Sequence, residues 1–200
     1  MEIKASQVKE LRDITGVPMM DCKKALLDCD GDIEKALDLL RSNSALKAEK
    51  KSSRVAADGL LVISIGDSYG TIVEVNSETD FAAKDSNFLS FSAKVKEYIS
   101  NNKVLSIETF KSTSLEDDRK TLVQAIGENV QLRRLKTIDF DSNMDIGMYL
   151  HPDSKLGSLV IVENGTNDIA KDVAMHVSAF NPLCLSKDCL LYTSPSPRDD

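Results

Sequence analysis

Near residue 60 the helical spacing of apolar residues, every third or fourth position, gives way to short β-rich runs, and this switch demands a chain of mixed helix and strand. Before the switch, Val8, Leu11 and Ile14 form a stripe behind Ser6, a residue suited to capping a helix. Gly16-Val17-Pro18 breaks that pattern, with Pro18 fit for the first turn of a second helix. Cys22, Ala25, Leu26 and Cys29 then fall at i, i+3, i+4 and i+7, and Ile33, Ala36, Leu37 and Leu40 repeat the spacing with Asp32 as N-cap. Three such stripes predict a miniature three-helix domain over 1–41, marginal alone because so short a chain buries little apolar area. Arg41 to Arg54 carries Lys47, Lys50, Lys51 and Arg54 among small residues without a strong period. It reads as a basic linker over 42–55 with some helical content, a solvated connector in preference to a nucleic-acid tether.

Beyond the switch, Leu60–Ile65 and Tyr69–Val75 are β-rich runs separated by Gly66-Asp67-Ser68, a hairpin signal. Phe88, Phe91, Val95 and Tyr98 mark a helix. Ser114 opens another, with Asp117 three residues on and Leu115, Leu122, Val123 and Ile126 as its apolar positions, and Gly127 ends it. Val130–Phe140 reads as a further strand, which completes an α+β unit over 56–140. Tyr69-Gly70-Thr71-Ile72-Val73-Glu74-Val75-Asn76 is echoed by Leu156-Gly157-Ser158-Leu159-Val160-Ile161-Val162-Glu163-Asn164. The echo predicts a related but incomplete α+β subdomain over 141–189, its helix carrying Ile169, Val173, His176, Val177 and Phe180 on one side. Residues 190–200 have two prolines, no period and no place in the repeat, and read as an unrelated, artefactual tail.

Composition narrows the function. A net charge of −7, from 32 acidic and 25 basic residues, disfavours a direct nucleic-acid partner, whose phosphates need a basic surface. No apolar run approaches the ~18 residues of a bilayer span, and Met1-Glu2-Ile3-Lys4 lacks the opening of a signal peptide. The expectation is a cytoplasmic protein with no membrane partner. Cys22, Cys29, Cys184 and Cys189 show no CxxC spacing and support neither a zinc site nor a disulfide framework, and Cys22 and Cys29 read as small buried hydrophobes. No phosphate-loop, dinucleotide, zincin or nucleophile-elbow motif is present, and the two histidines have no local acid or nucleophile in a familiar arrangement. His176, on an apolar helical face, reads as a core histidine; His151, before Pro152, sits in a loop open to a partner. A binding protein without metal or cofactor is favoured over an enzyme.

Two segments stand out. Asn76-Ser77-Glu78-Thr79-Asp80-Phe81-Ala82-Ala83-Lys84 places a large aromatic beside two acids between a strand and a helix. Either Thr79 or Asp80 caps the helix and Phe81 tucks against the sheet, or Phe81 projects as a wedge into a partner's pocket with Asp80 beside it. Met19 and Met20 project about 100° apart on a helix, so both can hardly serve one narrow core stripe. Either at least one of them faces a partner, flanked by Lys23, or both fill gaps in a small core.

These segments also carry a resemblance. Leu11-Arg12-Asp13-Ile14-Thr15-Gly16-Val17-Pro18-Met19-Met20-Asp21-Cys22-Lys23-Lys24-Ala25-Leu26 and Glu74-Val75-Asn76-Ser77-Glu78-Thr79-Asp80-Phe81-Ala82 resemble the two signature motifs of the bacterial translation elongation factor Ts family. Ile126-Gly127-Glu128-Asn129 and Ala174-Met175-His176-Val177 are similar to further family segments. The resemblance implies a guanine-nucleotide exchange factor for the GTPase elongation factor Tu, with a domain similar to ubiquitin-associated domains followed by a core of two related subdomains. It implies that Asp80 and Phe81, with Thr79 and Ala82 of the same motif, intrude near the partner's Mg²⁺ and phosphate region. Met19, Met20 and Lys23 would belong to the N-terminal contact, and Ile126, Gly127, His151 and His176 to the core's contact surface. Ala82 stands where the family often has Val. Bacterial members usually continue with a helical hairpin and a C-terminal segment to which nothing here corresponds, so the chain reads as truncated. The competing reading is an adaptor without enzymatic activity that binds a ubiquitin-like or helical protein through its three helices.

Overall fold

In a computed structural model, residues 3–185 are described, and they form an α+β chain with its helical region at the N-terminus. Helices α1 (Ala5–Thr15), α2 (Met19–Asp28) and α3 (Ile33–Lys51) enclose a small core of Val8, Leu11, Val17, Cys22, Ala25, Leu26, Ala36 and Leu40. Asp32 caps α3 by accepting the Lys35 N–H at 3.1 Å. Helix α1 opens earlier than Ser6 implies, at Lys4, whose N–H donates to Gln7 Oε1. Ile14 departs from its stripe and is exposed.

The segment read as a linker is largely helix, because α3 runs unbroken to Lys51. Its inward positions after Leu40 are Ser44 and Ala48, both buried and four residues apart. Small side chains of mixed polarity let the helix continue along α7 (Ser114–Ile126) without leaving an apolar period in the sequence.

Strands β1 (Asp58–Ile65) and β2 (Tyr69–Ser77) form an antiparallel hairpin, and β3 (Gln131–Asp139) pairs antiparallel with β2 on its other side. Between β2 and β3 run α4 (Asp80–Ala83), α5 (Ser86–Asn101), α6 (Glu108–Lys111) and α7. The main core lies between sheet and helices: Val62, Val73 and Val75 meet Phe88, Phe91, Val95, Ile99, Leu122 and Val123. Helix α7 begins at Ser114 as the sequence implies, and Thr113 before it is the cap, accepting the Leu115 N–H at 3.3 Å while its hydroxyl donates to the Phe110 carbonyl at 2.7 Å. Thr113→Ala is expected to cost about 1 kcal/mol, the usual worth of a helix cap. The loss would appear as a lower urea midpoint at unchanged slope.

Strands β4 (Met144–Leu150) and β5 (Gly157–Glu163) form a second antiparallel pair, followed by α8 (Asn167–Phe180). Here the structure corrects the expected helix face. Helix α8 turns Ala170, Ala174 and Ser178 inward, whereas Ile169, Val173, His176 and Phe180 are exposed. His176 is therefore not a core histidine; its ring stacks on Phe180 with centroids 4.5 Å apart. The cause is close approach. A Cβ built on Gly147 of β4 would lie 2.1 Å from the backbone of Ala170, so only small residues fit at this contact.

Candidate partner-binding site

Strand β2 delivers the chain into Glu78-Thr79-Asp80-Phe81, and the end of α7 meets it there. Thr79 is the N-cap of α4: its Oγ1 accepts the Ala82 N–H at 3.3 Å. The same hydroxyl donates to Glu128 Oε1 at 2.7 Å, and the Thr79 N–H donates to Glu128 Oε2 at 2.9 Å. In the opposite direction the Asn129 N–H donates to Glu78 Oε1 at 2.6 Å. Arg54 approaches that same carboxylate at 3.5 Å, and the buried Asn129 side chain donates to the Arg54 carbonyl at 2.8 Å. Gly127 closes α7 in the left-handed conformation, φ 85°, and its carbonyl accepts from Lys51 at the end of α3. Burial, with Arg54 nearby, lowers the Lys51 ammonium from its ordinary value.

On this base α4 buries Ala82 and Ala83 and leaves Phe81 81% exposed. The ring does not tuck against the sheet. Of the two sequence readings of this motif, the cap and the projection are both present, divided between Thr79 and Phe81. Asp80 pairs with Lys84 at 2.8 Å, and that hydrogen bond holds its carboxyl below the usual range. Lys155 pairs with Asp58 at 2.7 Å and adds a second favourable charge toward Asp80.

The remaining candidates fall around this cluster or apart from it. Ile126 is half-buried and Gly127 exposed, directly before the Glu128-Asn129 pair. His151 lies in the β4–β5 turn, its Nδ1 2.8 Å from Asp153 Oδ1. That turn reaches β1, where the Leu61 N–H donates to the Ser154 carbonyl at 2.7 Å. Met19 (49%) and Met20 (74%) are both exposed at the start of α2, with Lys23 exposed one turn on. Among the described residues, no hydrogen bond or ion pair ties Met19, Met20, Lys23 or His176 to the Thr79–Phe81 cluster. Cys22 is buried and its thiol is pushed up by that burial; Cys29 is half-buried at the end of α2. Cys189 and the 190–200 tail lie outside the described residues.

Periodicity could not reveal Glu78, Glu128 and Asn129 as a unit, because the pairs are about fifty residues apart and polar. The available signal was the family segment Ile126-Gly127-Glu128-Asn129 itself. Among the described residues no group of three or more His, Cys, Asp or Glu side chains converges to hold a metal, and no helix is long and apolar enough to cross a membrane.

Comparison with known proteins gives the family. A family model described as elongation factor TS matches residues 78–192, a span that begins at Glu78 and contains Phe81, Glu128 and the three strands β3, β4 and β5. Elongation factor Ts of Hahella chejuensis is 45% identical over 188 residues, covering 93% of this chain and 65% of that protein. The protein of the same name from Pasteurella multocida is 47% identical over 181 residues, covering 90% of this chain and 62% of its own length. This chain thus spans somewhat less than two thirds of the relatives it matches. With a family match over more than half of its residues and such identity along nine tenths of them, the chain belongs to the elongation factor Ts family.

Proposed function

We propose that the chain acts as a guanine-nucleotide exchange factor, binding elongation factor Tu and accelerating its release of GDP. The observation that carries this reading is Phe81, a large apolar ring 81% exposed on a helical turn whose opposite side is buried. Water penalises such exposure, and a partner's pocket relieves it; buried aromatic anchors dominate the energy of interfaces. Asp80 brings a carboxylate to the same edge, held ionised by Lys84.

A GTPase holds GDP through backbone amides around the phosphates and through Mg²⁺. A ring that displaces elements of that cradle, with an anion beside it, raises the free energy of bound nucleotide and speeds its departure. By linkage, GDP weakens the factor to the same extent as the factor weakens GDP, so the ternary complex is transient. No bond is made or broken in this scheme, and no cofactor enters it. Met19, Met20 and Lys23 supply a second contact through α2, while Ile126, Gly127, His151 and His176 extend the surface around the core. The test is release of a fluorescent GDP analogue from bacterial elongation factor Tu with and without the chain. Acceleration that rises with chain concentration to a plateau is expected. A folded chain that leaves the rate unchanged would overturn the proposal.

A further inference from the structure

We infer that Glu78 and Glu128 are positioning residues, a reciprocal carboxylate lock that aims Phe81 and joins it rigidly to Ile126-Gly127. The inference rests on the exchange-factor reading for its consequence, and on geometry alone for the lock. Helix α4 has four residues, one turn, and an isolated turn has no cooperative stability of its own. Its inward side chains are two alanine methyl groups, which bury little area and resist rotation weakly. What fixes the base of Phe81 must therefore be polar.

Both oxygens of Glu128 are used on one residue, Thr79: Oε2 takes its N–H at 2.9 Å and Oε1 its hydroxyl at 2.7 Å. Two bonds from one planar carboxylate define an orientation as well as a distance, and charge-assisted bonds are the strong ones. Thr79 is held from its other side too, since its carbonyl accepts from Ser77 Oγ at 2.9 Å. The neighbouring residues repeat the exchange in reverse, Glu78 taking the Asn129 N–H at 2.6 Å. Each segment thus gives an acid to the other's backbone, and a rotation of Thr79 must break two bonds before Phe81 can swing. Asn129 and Lys51 extend the network to residues 51–54 at the end of α3. A partner that seats on Ile126-Gly127 consequently meets Phe81 already aimed.

Glu128→Ala separates this role from simple support of the fold. In the free chain, by hydrogen exchange, the amides of Thr79, Ala82 and Ala83 are expected to exchange at least tenfold faster, with β2 and α5 unchanged. With elongation factor Tu, the GDP-release rate at saturating chain should fall about tenfold, while the half-saturating concentration changes less. Glu128→Gln should retain most of both, since its Oε1 can accept the Thr79 N–H and its Nε2 can donate to the Thr79 hydroxyl. Unchanged protection at 79–83 in Glu128→Ala overturns the lock. Faster local exchange with an undiminished plateau rate overturns its positioning role. If the unaltered chain fails to accelerate release, the exchange reading falls, and the hydrogen-exchange arm still decides the lock. Should Glu128→Ala lower the thermal midpoint globally, Glu78→Ala, which removes the acceptor of the Asn129 N–H and of Arg54 and leaves both Glu128 bonds to Thr79 in place, tests the other half: faster exchange of the Asn129 amide with a lower plateau rate is expected, and unchanged values overturn the lock.

Discussion

Phe81→Ala is expected to slow chain-stimulated GDP release from elongation factor Tu about thirtyfold, the loss of a hot-spot contact of about 2 kcal/mol. The chain's own stability should change by less than about 0.5 kcal/mol, because the ring is 81% exposed and its removal opens no cavity. This contrast makes the variant informative: a residue that matters to folding would move both measurements, and one that matters to neither would move none. Leu105, also apolar and 73% exposed, serves as the control, since Leu105→Ala removes comparable surface away from the Thr79–Glu128 cluster. Stopped-flow release of a fluorescent GDP analogue and urea unfolding of each variant supply the numbers. Equal losses in the two variants would mean that exposed apolar area in general, not an aimed ring, drives the effect, and the wedge would have to be abandoned.

The features legible in the sequence were those that repeat locally. The β-rich runs Leu60–Ile65 and Tyr69–Val75 on either side of Gly66-Asp67-Ser68 marked a hairpin, and the structure pairs Val62 with Val73 and Leu60 with Val75. Gly127 marked the end of a helix because only a residue tolerant of positive φ closes it without strain, and its φ is 85°. At Phe81 the anomaly itself was the signal: a large aromatic beside two acids, between a strand and a helix, is rare in a turn. Position-specific polar pairing left no such trace. Nothing about Glu128 distinguishes it locally from Glu116, which pairs with Arg119 on its own helix. The continuation of α3 was hidden for a related reason, since its inward positions against α7 are a serine and an alanine, Ser44 and Ala48, which are buried but too small and mixed in polarity to form an apolar period. Propensity and period describe how a segment would meet an average neighbour. The actual neighbour decides whether a small residue or a large one lies inside.

Helix α8 makes that point testable, and Gly147→Ala should have the largest effect on stability. The added methyl would sit 2.1 Å from the carbonyl carbon and oxygen of Ala170 and 2.5 Å from the nitrogen of Lys171, all backbone atoms that cannot rotate aside. Ordinary contact needs well over 3 Å, so α8 must lift from β4 by more than an ångström. Lifting it strains the hydrogen bond from Ser158 Oγ to the Ala174 carbonyl at 2.7 Å and the 3.0 Å bond between the Ser178 and Ser158 hydroxyls. Overpacking costs about 1–3 kcal/mol in general and more where backbone is the obstacle, and each lost hydrogen bond adds about 1 kcal/mol. A total near 3 kcal/mol is expected, which corresponds to amide exchange in β4, β5 and α8 faster by about two orders of magnitude. Strands β1–β3 and α5, with their own core, should keep most of their protection. Ile169→Ala supplies the opposing case. On the face expected from the sequence, Ile169 would pack against the sheet and its truncation would cost about 2–5 kcal/mol. At 50% exposure it should cost less than about 1 kcal/mol. A severe Ile169→Ala beside a mild Gly147→Ala would mean that α8 is rotated from the orientation described, with His176 turned back toward the core.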